Sequence, residues 1–322
     1  MKKTLFFVGI ISLFFSCKKN QNPTKTTSGK TNAISVIIDD ELWNGEIGDS
    51  IRNKFATPAI GLPQEEPLFT INQFPVKLLE GFMTDSRNIM VIKKETTSQF
   101  EIVENEYAKP QNLIHISGKS VVEILDSIDK NVPKIIQKIK EIEIKAYQTN
   151  TKKILLNAKK VNKKFNILIE IPKTYKYVMR RSKFIWLKKE ISSGSLSLIA
   201  YQIPIFEIKS NKNKLSQVIK TRDSIGNLYI HGSARSTQML TDKTFAPYFT
   251  KTTIDTKTAL ETKGLWQMNN DFMSGPFINY NIIDPKNNRI LVLEGFCYAP
   301  SKEKRDLMFE LESIIKSIKF RN

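Results

Sequence analysis

The chain has 322 residues, 40% of them hydrophobic and 10% aromatic, enough to bury a core and to exclude a wholly disordered protein. Its formal net charge is +18, but Lys outnumbers Arg by more than four to one, which argues against a nucleic-acid reader built on bidentate Arg contacts. Two cysteines, Cys17 and Cys297, exclude a scaffold stapled by disulfides within the body.

The first element is a targeting segment, residues 1–16. Lys2 and Lys3 precede an apolar run from Leu5 to Phe15, which ends at Ser16 and Cys17. As a helix this run reaches about 16 Å at ~1.5 Å per residue, against a bilayer core of about 30 Å, so it is too short to span. Phe14-Phe15-Ser16-Cys17 resembles the lipobox of bacterial lipoproteins, with Phe14 where an aliphatic residue is usual. The resemblance implies a diacylglycerol thioether on Cys17, cleavage before it and an acylated amino terminus, which together give stable anchoring. Residues 17–33 read as the lipidated cysteine and a polar tether. Lys18 and Lys19, with no acid nearby, favour the periplasmic face of the outer membrane over the cell surface.

The body divides into an N-terminal half, residues 34–160, and a C-terminal half, residues 161–322. In the first, Ile34–Ile38 reads as a strand, and Gly48-Asp49-Ser50 as the cap of a helix starting near Ile51. Residues 58–67 carry four-fold Pro/Gly punctuation and read as a loop. Leu68–Phe74 is a strand, Pro75 opens a short helix over Val76–Met83, and Ile89–Ile92 is the next strand. Helical spacing runs from Lys119 to Asn162, with Pro133 opening a second helix after one that ends near Asp129.

In the second half, Phe165–Ile171 alternates as a strand, Pro172 opens a short helix to Met179, and Phe184–Leu187 and Ser195–Tyr201 are strands. Lys214–Ile225 fits a helix, and Tyr229–Met268 is mixed and strand-rich. Pro276–Ile283 and Arg289–Ala299 form a hairpin around residues 284–288. Ser301 caps a final helix with Met308, Leu311, Ile314, Ile315 and Ile318 on its buried face. The fold class is therefore α+β: mostly antiparallel sheet with packed helices and a C-terminal hairpin followed by a terminal helix. Residues 68–95 and 165–190 share a strand, Pro, short helix, strand and Lys-Lys-Glu pattern, which reads either as a duplicated strand–helix–strand unit or as two similar local solutions.

No G-x-S-x-G elbow, H-E-x-x-H, P-loop, G-x-G-x-x-G or zinc-spaced cysteine pair occurs, and no metal or cofactor is expected. His115 and His231 are the two histidines; a triad of His231 with Asp223 and Ser224 or Ser233 would need spatial convergence. Unusual residues gather in the C-terminal half. Arg222, Asp223, Glu261, Lys263, Trp266, Asp271, Phe277 and Glu294 suit a groove where an aromatic stacks a ligand and a cation holds an anion, or paired charges flanking a sheet. Carboxylates among Glu261, Asp271 and Glu294 could serve glycoside cleavage if two faced each other.

Asp39-Asp40-Glu41-Leu42-Trp43, the loop from Gly61 to Phe69, Glu261–Trp266, the segment around Met273–Phe277 and Gly295–Arg305 resemble an uncharacterised lipoprotein family of the Bacteroidota, domain-of-unknown-function family 4837. The resemblance covers about residues 34 to 320. It implies an envelope address and brings no activity and no catalytic residues. The chain thus reads as a membrane-anchored envelope protein that binds or scaffolds, with an envelope hydrolase acting on glycan, peptidoglycan or ester as the rival. Its expected partners are the membrane through Cys17, an envelope protein or an anionic lipid, and no nucleic acid.

Overall fold

The computed structural model describes residues 25–206, 213–232, 234 and 236–321. Cys17, the apolar run before it and residues 18–24 lie outside the described residues, as does Ser233.

The body begins earlier than Ile34. Lys25 pairs with Asp85 at 2.7 Å, and Thr26 and Ser28 make parallel bridges to Lys109 and Ser86. Residues 25–28 are thus fastened to the connecting segments around Ser86 and Lys109, a role that their polar composition conceals.

That sheet has the order β2-β1-β3-β5-β4, with β1 Ala33–Ile37, β2 Thr70–Phe74, β3 Asn88–Lys94, β4 Gln99–Glu104 and β5 Asn112–Gly118. Only the β4–β5 pair is antiparallel. The sheet is therefore mixed, and its inner strands are apolar on both faces, as parallel strands require. One face packs Ile34, Val36, Met90, Ile92, Ile114 and Ile116 against α2 (Glu46–Phe55) and α3 (Val121–Thr151). A short helix α1 (Asp40–Trp43) turns into α2 at Gly48, where a Cβ would sit 1.7 Å from the Trp43 carbonyl oxygen. Gly48 thus permits the α1–α2 corner and lies inside α2 instead of capping it. After Pro75 the chain makes two 3-10 turns, Val76–Leu78 and Gly81–Asp85, in place of one short helix.

α3 is one helix of 31 residues with Pro133 inside it. The expected break does not occur because Pro133 is exposed. The Asp129 carbonyl that loses its partner can turn to water, and the helix needs only to bend.

The second sheet has the order β10-β12-β13-β14-β9-β8-β7, with β11 beside β10 on the same edge of β12, and is antiparallel throughout. Its strands are β7 Lys176–Arg180, β8 Phe184–Ile191, β9 Gly194–Pro204, β10 Met239–Thr241, β11 Tyr248–Ile254, β12 Lys257–Met268, β13 Ser274–Asp284 and β14 Arg289–Tyr298. The β13–β14 hairpin forms as its pattern predicts, closed by the 3-10 turn Pro285–Asn287. One face packs on α6 (Arg305–Ile315) and α4 (Lys159–Phe165), the other on α5 (Lys214–Tyr229). Both sheets and the flanking helices make the molecule α+β.

Phe165–Ile171 is not one strand. Phe165 ends α4, Asn166 takes a left-handed conformation at φ 50°, and only β6 (Ile167–Leu168) pairs, with β15 (Lys319–Phe320). The alternation is real, since Ile167, Ile169 and Ile171 are buried, but beyond β6 it reflects packing on the core without a strand partner. The Pro172–Met179 stretch holds a turn and then β7 where a helix is predicted. The two related units also dissolve: β2 and β3 flank β1 in a parallel sheet, whereas β7 and β8 form an antiparallel pair. Similar local patterns here serve different topologies.

The buried face of α6 is as expected, but Ser301 is not its cap. Glu66, from the loop before β2, accepts the Lys304 N–H at 2.7 and 2.9 Å and the Arg305 N–H at 2.7 Å. A carboxylate at this end satisfies orphan donors and complements the helix dipole better than a serine would. α6 lies between the second sheet and α3, where Gln148 donates to the Ser313 carbonyl at 3.0 Å and Tyr147 meets Phe309 edge-on at 6.5 Å.

Candidate functional site

Strand parity decides which residues of the C-terminal sheet can meet. Along β12, Glu261 and Lys263 share the face covered by α6, and their cross-strand neighbours are Tyr280 and Ile278. Trp266 points to the opposite face, with Phe277, Asn279 and Glu294. The residues singled out in the sequence therefore fall into two groups separated by the sheet.

On the α5 side, Arg222 is 1% exposed. Its Nη2 lies 2.9 Å from Glu294 Oε1, its Nη1 donates to Thr241 Oγ1 at 3.0 Å, and its guanidinium sits 3.9 Å from the Phe277 ring centroid. Asp223 accepts from the Thr241 N–H at 2.8 Å and from its hydroxyl at 2.7 Å. Glu294 also accepts from Asn279 Nδ2 at 2.7 Å. Burial raises the Glu294 pKa against the pull of Arg222. Trp266 is buried and donates its indole N–H to the Cys297 carbonyl at 3.2 Å. Arg222, Glu294, Trp266 and Phe277 thus pack on one another and tie the sheet to α5.

Asp271 lies in the β12–β13 turn, beside Gly232, well away from both glutamates. His231 Nδ1 contacts the Thr237 carbonyl at 2.9 Å, and Ser224 donates to the Lys220 carbonyl, so no triad forms among the described residues. Among the described residues no cluster of three or more His, Cys, Asp or Glu is placed to hold a metal. Cys297 is buried, and burial pushes its thiol up to about 12, far from the reactive range.

On the α6 side the sheet meets the N-terminal half around a cavity of about 270 Å³. Its walls are apolar: Ala59, Ile60, Leu62, Leu68 and Phe69 from the loop before β2, Ile144 from α3, Met308 and Phe309 from α6. Gly61, at φ +86°, lets that loop approach so closely that a Cβ would lie 2.9 Å from Lys263 Cβ. The charged floor joins Glu261 and Lys263 to Lys140 of α3 and Glu312 of α6. Lys263 Nζ lies 3.4 Å from Glu261 and 3.5 Å from Glu312, which also takes Lys316 at 2.6 Å and the Tyr280 hydroxyl at 3.3 Å. Lys140 has no ion pair among the described residues. Burial lowers its pKa first, and the neighbouring Lys263 lowers it further. Glu312, Lys140 and the loop escape sequence reasoning because they come from three distant segments. The shared parity of Glu261 and Lys263 is the one signal that was readable.

Glu261 and Glu312 share one lysine, each within 3.5 Å of Lys263 Nζ, and two gathered carboxylates raise the question of hydrolase chemistry. A glycosidase needs one carboxyl that keeps its proton near neutrality. Burial raises the Glu312 pKa, but Lys263, Lys316 and Lys140 outweigh it and hold the carboxyl well below the usual range. Glu312 is thus a fixed anion and a poor general acid. A depressed folded pKa contributes stability above the unfolded value of about 4.3, lost as pH falls toward the folded value. Glu312→Gln is therefore expected to flatten the acid limb of the stability profile, read as urea midpoints from about pH 7 to about pH 3. An acid limb of unchanged steepness would place the titration elsewhere.

Residues 155–317 match the family model described as a domain of unknown function, DUF4837, and residues 27–152 match a second, DUF8532. The N-terminal stretches Asp39–Trp43 and Gly61–Phe69 thus fall under the second model. No curated protein matches the chain. Among solved structures, LpqN of Mycobacterium tuberculosis, involved in cell envelope biogenesis, is similar at 11% identity over 48% of this chain and 82% of that chain, with a TM-score of 0.29. With half of its length under that first model, from the strand-poor segment before β6 through α6, the chain belongs to the DUF4837 family.

Proposed function

We propose that this is a lipid-anchored protein of the bacterial cell envelope, facing the periplasm from the outer membrane, whose body binds a small amphiphilic anion without transforming it. The anchor rests on the charge, apolar run and Cys17 at the amino terminus. No helix among the described residues is long and apolar enough to cross a membrane, so a helical span there does not compete with the acyl anchor. Mass spectrometry of the native amino terminus tests it: an amino-terminal Cys17 carrying the diacylglycerol thioether and an N-acyl chain is expected, and an unmodified, uncleaved Met1 would refute it.

The observation that carries the binding role is Lys140, which has no ion pair among the described residues, on the charged floor of an apolar-walled cavity whose other cations, Lys263 and Arg305, are paired with carboxylates. The two glutamates beside it are already engaged by Lys263 and Lys316, so the cavity holds one cation in surplus. A carboxylate entering there would pair with Lys140 and gain most from the low local dielectric. Its apolar tail would lie along Leu62, Leu68, Phe69 and Met308. Ile60 and Tyr248, 59% and 41% exposed, line the same space and mark its mouth. The volume stands near the lower end of ligand sites, about 300–1,000 Å³, which limits the tail to a short chain. Calorimetric titration with octanoate is expected to show binding, octylammonium none, and Lys140→Gln at least about a tenfold loss, the equivalent of ~1.4 kcal/mol. Equal binding of both amphiphiles, or full affinity in the variant, would remove the reading.

A further inference from the structure

The positive charge of the chain is not spread evenly. Residues 151–190 hold thirteen Lys and Arg against two acids, Glu170 and Glu190. Those two are already taken, Glu170 by Lys152 at 3.4 Å and Glu190 by Lys188 at 2.9 Å. α4 and the β7–β8 turn bring Lys160, Lys163, Lys164, Arg180 and Arg181 around one shallow recess of about 810 Å³. None of the five has an ion pair among the described residues; Lys164 reaches only the Ser182 carbonyl, at 2.9 Å. Four of them, all but Lys164, are exposed. By contrast, Lys138 and Lys152 on and next to α3 are paired with carboxylates. Five like charges that share a recess repel one another, and an arriving anion gains what their own fold does not provide.

We infer that this recess docks on phosphate-bearing lipid headgroups of the membrane to which Cys17 tethers the chain, an inference that rests on the acyl anchor proposed above. Arginine forks grip phosphate oxygens in pairs, and lysines add point charge at the headgroup level. The same segments leave Leu168 and Val178 45% and 48% exposed, apolar groups suited to a headgroup layer and idle against a dissolved anion. A single-stranded nucleic acid would need an exposed aromatic platform. The aromatic nearest these cations, Tyr177, is half-buried and donates its hydroxyl to the Asn157 carbonyl. Docking would hold this edge of the second sheet down on the bilayer and fix the orientation of the body.

The test uses the full acylated chain with a fluorophore on Thr174→Cys, an exposed position outside the recess, Cys297 being buried and unreactive. The protein is reconstituted in phosphatidylcholine vesicles with or without phosphatidylglycerol, and energy transfer to a lipid-borne acceptor is measured. Transfer is expected to rise severalfold on the anionic vesicles and to fall with added salt. Lys160→Gln, Lys163→Gln and Arg180→Gln together should return it to the neutral-vesicle level. Each cation near an anionic surface is worth about fivefold in binding, so three amount to on the order of a hundredfold. The charge-matched set Lys130→Gln, Lys145→Gln and Lys153→Gln, all exposed, should keep it. Equal transfer on both vesicles, an equal loss in the charge-matched set, or displacement by millimolar inorganic phosphate would overturn the inference. Failure to float with neutral vesicles would remove the acyl anchor instead, and flotation with anionic vesicles would then read the recess alone.

Discussion

Arg222→Ala is expected to cost about 3–5 kcal/mol of stability, because it strands Glu294 as an uncompensated charge in the interior. Glu294 is 0% exposed, and without Arg222 its remaining partner is the Asn279 amide at 2.7 Å. The guanidinium also supplies one face of the contact with Phe277 and a donor to Thr241, which links β10 to α5. Equilibrium urea unfolding measures the loss. A second variant separates the charge from the packing: Arg222→Met with Glu294→Leu removes both ions and keeps the volume. That double change is expected to restore most of what Arg222→Ala loses, since paired burial of opposite charges returns little net energy over an apolar filling. A cost below about 1 kcal/mol for Arg222→Ala would mean that Glu294 already sits there protonated and neutral.

Glu143→Ala carries the second large effect, about 3 kcal/mol, on the other half of the molecule. Glu143 is 1% exposed on α3. It accepts from the Asn32 N–H at 3.2 Å, from Arg87 Nε at 2.9 Å and from Asn88 Nδ2 at 2.7 Å. These donors stand just before or at the start of β1 and β3, so one carboxylate seats the long helix on the entrance to two strands. Alanine would leave the Asn32 N–H without an acceptor, the Asn88 amide with only the Ala33 carbonyl at 3.4 Å, and a nearly buried guanidinium with only the Lys30 carbonyl at 3.2 Å and no counter-charge. Glu143→Gln should lose less, since its carbonyl keeps part of the network while its own N–H₂ faces a cation. The thermal midpoint of each variant checks the ranking. Equal midpoints for Ala and Gln would show that charge, and not acceptor count, is what matters.

Period-two and helical patterns made much of this architecture readable. β1, β8, β9 and the β13–β14 hairpin follow from short apolar runs bounded by turn residues, most of them buried on both faces, and α5 and α6 follow from apolar residues at helical spacing. The failures share a cause. Pro133 signals a helix break only when its freed carbonyl is shut away from water, and exposure is not written in the local sequence. Phe165–Ile171 alternates because Ile167, Ile169 and Ile171 pack inward, which Ile169 and Ile171 do without a strand partner. The cavity was out of reach for a similar reason. Glu261 and Lys263 were singled out, yet Lys140 and Glu312 look like ordinary charges on amphipathic helices until α3 and α6 are packed against each other. Arg222, Glu294, Trp266 and Phe277 were singled out as well, and the structure uses them as mortar.

Glu66 reaches forward 238 positions to the N–H of Lys304. A chain that emerges amino terminus first, as from an export channel, therefore presents every strand of the first sheet long before the helix that Glu66 will cap. Contacts separated this far in the chain are slow to close. Until the last few turns emerge, the Glu66 carboxylate on the loop that forms the cavity roof lacks the helix end it will cap. A chain interrupted before Arg305 should consequently carry an N-terminal half with an open side, which makes the final helix a quality checkpoint for the finished product.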